Sequence, residues 1–339
     1  MKKDIKKIWI VLVVLLTFLG GSIAPIYAAD VQTVQSTIDD VAQTLMEQNP
    51  QPKPGSIGGE WLILGLARSD LDVPNAYYDS YYTALETTLK EKQGVLHKRK
   101  YTEYSRTVLA LAATGKDPSN TAGYDLLQPL EDKKAVVQQG INGAVFALLA
   151  LDSNEYPSDM RQQYVAYILE KELPKGGWAL SGDQADLDVT AMVLQALAPY
   201  RNEEPVRLAI ARGVKTLSSC KIVYCESAAQ ILVAITSLDT EEKAQASVLD
   251  MAFDSMMQFY QPGKGFRHTV NGEVNAMATE QAFYALVATE RYYDGKHTLY
   301  DMTAELNTNV ANETLVEDKN KSVVQTLIKK MNELLRKGA

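Results

Sequence analysis

The chain is poor in the residues that build metal centres, with two cysteines and three histidines in 339 residues. His97, His268 and His297 stand apart in sequence, and no Cys/His spacing of a zinc site occurs, so no metal and no other cofactor is expected. Neither a Gly-x-Ser-x-Gly elbow nor a phosphate-binding loop is present, which removes two common hydrolase classes. Strand-type alternation is almost missing outside short loops, which points to an all-α chain. Positive charge is outnumbered, giving a formal net charge of −8. Nucleic acid and anionic membrane surfaces select positive patches and are therefore poor partners. Long apolar runs are lacking as well: the run from Ile8 to Leu19 falls short of the about 20 residues that span a bilayer.

That short run has a different use. Lys2, Lys3, Lys6 and Lys7 precede it and Ile26-Tyr27-Ala28 follows it, the pattern of a secretory signal peptide over residues 1–28 with cleavage before Ala29. The chain is accordingly expected to be exported by a bacterial cell; a retained anchor is the alternative. In an oxidising compartment Cys220 and Cys225, close together in one short segment, can close a disulfide or stay as two thiols, and sequence leaves both open.

What is abundant is helical periodicity. Val31, Val34, Ile38, Val41 and Leu45 mark an amphipathic helix, and Glu60 to Ala67 follows, apolar on nearly every side as a buried helix must be. The alternation continues. Amphipathic segments near 77–92, 124–131, 158–173, 203–217 and 243–260 each precede a more apolar one near 103–114, 142–151, 188–198, 226–237 and 276–290. Six hairpins of this kind close most simply into an α6/α6 toroid (barrel) of six outer and six inner helices over residues 29–300, with an open superhelix as the other arrangement. Residues 301–321 read as a polar linker. Residues 322–339 read as a C-terminal amphipathic helix that packs on the body or contacts the cell envelope or another protein.

Three of the apolar segments are preceded by a glycine-led turn: Gly94-Val95, Gly177-Trp178 and Gly265-Phe266. Glycine permits the tight return, and the aromatic can plug the gap between hairpins. This glycine-aromatic repeat, with Asp186-Leu187-Asp188-Val189-Thr190-Ala191 after its second copy, resembles the terpenoid cyclase and protein prenyltransferase toroids, in particular the C-terminal half of squalene cyclases. The resemblance implies the fold, and it implies Asp188 as a general acid supported by Asp186. Val189 stands where those cyclases carry a third carboxylate, and the zinc ligands of the prenyltransferases are missing.

In such a ring the starts of the inner helices converge on a central cavity. The polar and aromatic residues there are the expected ligand contacts: Glu60, Trp61, Glu103, Tyr104, Arg106, Asn142, Trp178, Glu226, Gln230, Glu280 and Gln281. Asp, Asn and Ser at these positions also suit helix capping, and Ser227 to Gln230 has capping-box spacing. The expected function is binding of a ligand in the cavity, a polyene, a glycan or a corrinoid-like molecule. The alternatives are a squalene-type cyclase acting through Asp188, and a glycan-active enzyme with Asp188 paired to Glu60 or Glu280. His97-Lys98-Arg99-Lys100 is the one basic cluster and reads as a solvated loop.

Overall fold

The computed structural model describes residues 24–55, 57–238 and 243–303. The basic and apolar part of the expected signal peptide lies outside these residues, as do the C-terminal helix and all but the first three residues of the linker. Among the described residues the chain is all-α, with twelve α-helices. They are α1 (Ala24–Gln48), α2 (Glu60–Arg68), α3 (Asn75–Glu91), α4 (Thr102–Ala113), α5 (Lys133–Val136), α6 (Ile141–Asp152), α7 (Arg161–Glu170), α8 (Leu187–Leu197), α9 (Glu204–Ser218), α10 (Cys225–Leu238), α11 (Lys243–Met257) and α12 (Ala276–Tyr293). The only named strands are two antiparallel two-residue pieces, β1 (Tyr260–Gln261) and β2 (Gly265–Phe266), with Tyr260 opposite Phe266. No described helix is long and apolar enough to cross a membrane.

Apolar content sorts the helices into two sets. In α10 every residue is buried, and α2, α4, α6, α8 and α12 are buried over most of their length. In α9, by contrast, burial is confined to Val206, Ala209, Ile210, Gly213, Val214 and Leu217, the single stripe of an amphipathic helix. The buried helices touch in succession, α2 with α4, then α6, α8, α10 and α12, and α12 touches α2. The amphipathic helices flank them. Here α7 lies on α6, α9 on α8 and α11 on α10, so each packs most closely on the buried helix before it in sequence, and α1 lies on α12.

One expected helix is not there. The segment near 124–131 forms short 3-10 turns at Pro118–Asn120, Gln128–Glu131 and Val137–Gln139, with only the one-turn α5 between the last two. Two prolines interrupt helical hydrogen bonding, and Asp117, Asp125 and Asp132 accept backbone N–H groups of Ser119, Leu127 and Ala135 in local turns that compete with a helix. The segment still buries Leu126, Leu130 and Val136, so it fills the place of a flanking helix without being one.

The cysteines are both free. Cys225 opens α10 with its thiol turned into the core toward the Ala278 carbonyl, and burial pushes its pKa well up, so it behaves as a small apolar residue.

Candidate functional site

The glycine-aromatic turns build the frame of the site. Gly177 has φ 78° and Gly265 φ 112°, and a Cβ at Gly265 would come within 2.6 Å of Thr279, so both need glycine. The Trp178 N–H donates to Thr190 Oγ1 at 2.9 Å, the Asp186 N–H donates to the Trp178 carbonyl at 2.8 Å, and the Asp186 carboxylate accepts from Val189 N–H at 3.0 Å. The second copy repeats this bond for bond: Phe266 N–H to Thr279 Oγ1 at 2.9 Å, Asn275 N–H to the Phe266 carbonyl at 2.8 Å, and Ala278 N–H to Asn275 Oδ1 at 3.0 Å. Val95 in the third turn is 42% exposed and plugs nothing; Tyr124 covers Gly94 instead.

This register separates scaffold from site. Asp186 is the N-cap of α8 and Thr190 is the clamp that holds the turn, so each already accepts a backbone N–H. Trp178 has no exposed surface, and its indole N–H donates to the Ile168 carbonyl at 2.8 Å, so it belongs to the core and not to the ligand contacts. Thr190→Val keeps the shape and strands the buried Trp178 N–H. Urea unfolding of that variant is expected to show a loss of about 1–3 kcal/mol.

Asp188 is left over by the capping scheme, and its position recurs. The second residue of each buried helix is Trp61 in α2, Glu103 in α4, Asn142 in α6, Asp188 in α8, Glu226 in α10 and Met277 in α12. Trp61, Glu103, Asn142 and Asp188 are half-buried, Met277 is 48% exposed and Glu226 retains 8%, whereas the residue after each is buried. One helical position therefore offers side chains of three carboxylates, an amide, an indole and a thioether.

Contacts between different helices show that these starts meet. The Trp61 ring lies 5.7 Å from Phe146 of α6 and 5.7 Å from Tyr284 of α12. Gln230 Nε2 donates to Gln281 Oε1 at 2.9 Å and to the Tyr284 hydroxyl at 2.6 Å. Gln230 thus serves the interior and not a capping box. Ser227 hydrogen-bonds Asp188, and Glu226 pairs with His268 at 2.8 Å, whose ring stacks on Tyr224 at 4.5 Å. The Asn142 amide oxygen is buried without a hydrogen-bond partner, one turn above Phe146 on the same helix face. The result is an aromatic floor under a polar rim.

Burial, helped by the charges of Asp186 and Glu226, raises the Asp188 pKa against the opposing Ser227 hydrogen bond. Asp188 makes no ion pair among the described residues.

Glu60 and Glu280 have another task. Glu60 Oε1 accepts the Gly55 N–H at 2.8 Å and its Oε2 accepts Arg106 Nε at 3.1 Å; Arg106 also pairs with Glu103. Glu280 accepts the Gly58 N–H at 2.8 Å. At 2% and 4% exposure they are loop anchors under the start of α2, not a catalytic pair facing a cleft. Tyr104 is buried, with its hydroxyl against the backbone of Leu96 and His97, and so also stands behind the site.

One element of the site is scattered in sequence and escapes periodicity analysis. Seven of the eight exposed large apolar residues, Ile57, Val95, Leu180, Val223, Tyr224, Val270 and Met277, lie in the segments that enter the buried helices or in their first turn. They therefore enter at the same end of the buried helices as the polar rim, as an apolar collar in sequence register. A separate cavity of about 690 Å³ lies where the buried helices finish, and none of the residues anticipated from sequence lines it. No protein-family model matches the chain, and no curated protein matches it.

Proposed function

We propose that the chain is an α6/α6 toroid of the squalene-cyclase-like repeat type, exported from a bacterial cell, that holds a ligand over the convergent starts of its buried helices without transforming it. Closure into a ring is supported by the succession of contacts from α2 to α12 and back to α2. In that ring α1 supplies the flanking partner of α12, and the turns between α4 and α6 stand in for the sixth outer helix.

One observation carries the binding reading: the same position of five of the six buried helices holds a partly or fully exposed side chain, Glu226 of α10 being the buried exception, while the next position is buried in all six. The rim offers carboxylate and amide acceptors, and the floor is aromatic. Such a lining suits a ligand with an apolar body edged by hydrogen-bond donors, as in a corrinoid-like molecule, more than a bare polyene. The collar suits delivery of that ligand by an apolar surface of the cell envelope or of a partner protein.

The cyclase alternative has in its favour that burial raises the Asp188 pKa, the direction a general acid needs. Against it, Val189 is core at 2% exposure and Asp186 is spent on a cap, so Asp188 lacks the neighbours that would stabilise its spent form.

Tryptophan fluorescence separates these readings. In the chain without residues 1–28 the tryptophans are Trp61 and Trp178; Trp178 is sealed from solvent and Trp61 is half-buried in the floor, so a ligand seated there should act most strongly on Trp61. Titration of that chain with cyanocobalamin, squalene and chitotriose is expected to give a saturable change with the corrinoid, strongly reduced in Trp61→Phe and with its midpoint shifted only a few-fold by Asp188→Asn. Conversion of squalene that requires Asp188 would overturn the proposal.

A further inference from the structure

The cavity at the finishing ends of the buried helices contains an acceptor that the fold itself leaves unused. Gln195 of α8 is 2% exposed and lines this cavity. Its Nε2 donates to both the main-chain and side-chain oxygens of Gln230, each at 3.0 Å, so both amide hydrogens are engaged. Gln230 cannot turn to relieve it, since its own Nε2 is committed to Gln281 and Tyr284. The row of amides is therefore polar in one sense, running from Gln281 through Gln230 to Gln195, and it ends on Gln195 Oε1, which has no hydrogen-bond partner. A buried carbonyl left so keeps its desolvation cost unless something in the cavity donates to it.

The remaining walls limit what that donor is. Asp152 is already held by Arg161 and by the Tyr200 hydroxyl, and His297 is paired with Asp301. Lys296 is paired with Asp70 and Asp294, and the wall residues that make no ion pair among the described residues, Glu155 and Arg201, are of opposite sign, which disfavours an ionic ligand. Tyr200 and Tyr300 supply ring surface, and the volume of about 690 Å³ falls in the range of small-molecule sites.

We propose that this cavity is a second ligand site, for a neutral polyhydroxylated molecule of mono- to disaccharide size that donates a hydroxyl to Gln195 Oε1. The proposal requires no ligand at the helix starts, although Gln230 touches both sites. Saturation-transfer NMR on the full chain with methyl glucoside, N-acetylglucosamine, maltose, cellobiose and myo-inositol, each at about 10 mM, tests it. At least one is expected to bind with a millimolar or tighter Kd, weakened about tenfold in Gln195→Leu. Thr298→Trp, a substitution at the half-buried cavity wall that spares the core, is expected to abolish binding even should Gln195→Leu fail to fold. Leu208→Ser, at an exposed position of α9 away from both sites, should leave it unchanged. Absence of transfer to the whole panel, or binding unaltered by Thr298→Trp, overturns the proposal, as does a crystal structure soaked with these sugars in which Gln195 Oε1 meets water only.

Discussion

Arg106→Met is expected to lower the unfolding free energy by about 3–5 kcal/mol near neutral pH. The guanidinium bridges α4 to the buried first residue of α2, donating from Nε to Glu60 Oε2 at 3.1 Å. Methionine fills comparable volume but leaves the Glu60 carboxylate without its cation at 2% exposure. Burial already raises the Glu60 pKa, and Arg106 is the main opposing influence. With a folded-state pKa above the unfolded one, the contribution of Glu60 is full below the unfolded pKa and is lost as pH rises through the folded one. The deficit of the variant should therefore shrink toward acid pH, where Glu60 is protonated in both proteins. Urea unfolding at about pH 5 and about pH 8 measures this, and a deficit under about 1 kcal/mol at both would mean that solvent already screens the pair.

Glu280→Gln is expected to act in the opposite direction. Burial, with the nearby Glu60 charge, pushes Glu280 from 4.5 up to about 7, against the opposing Gly58 hydrogen bond. The stability linked to its protonation is complete below about pH 4.5 and disappears as pH rises through about 7. Glutamine keeps an oxygen for the Gly58 N–H, which lies 2.8 Å from Glu280 Oε1, and has no charge to desolvate. The variant should match the parent at about pH 4 and exceed it by up to about 3 kcal/mol at about pH 9. Thermal unfolding across that range is the measurement, and parallel pH profiles for the two proteins would show that Glu280 stays ionised when folded.

Much of the helical plan is readable from residue order, because an all-round apolar helix such as α10 and a single-stripe helix such as α9 carry different periodicities. The failure between α4 and α6 has a local cause, since apolar spacing survives there while proline and aspartate turn chemistry overrides it. The candidate site is legible at the second residue of five buried helices, where a polar or aromatic side chain interrupts an apolar run. Which of those interruptions are structural is not legible: Asp186 and Asp188 are two residues apart, yet one caps and the other opens onto the rim. That distinction depends on the backbone hydrogen bonds of the Gly177 turn. The free state of the cysteines was equally hidden, because it depends on Cys225 pointing into the core. The cavity around Gln195 gave no signal, as its lining is drawn from helix ends and following segments that no single periodicity connects.

The seat of α1 on α12 bears on the lifetime of the folded molecule. Asp40 accepts the Tyr260 hydroxyl at 2.6 Å and the Gly263 N–H at 2.9 Å, across separations of 220 and 223 residues. A segment early in the described body is thus bound to one late in it, and the entropy of closing so long a loop falls on the contacts that α1 and α2 make with α12 and the β1–β2 turn. Interactions that form late in folding govern the rate of opening more than the rate of assembly. A seam closed across so long a loop is expected to act as the latch of the domain, its release setting how long the pockets behind it persist.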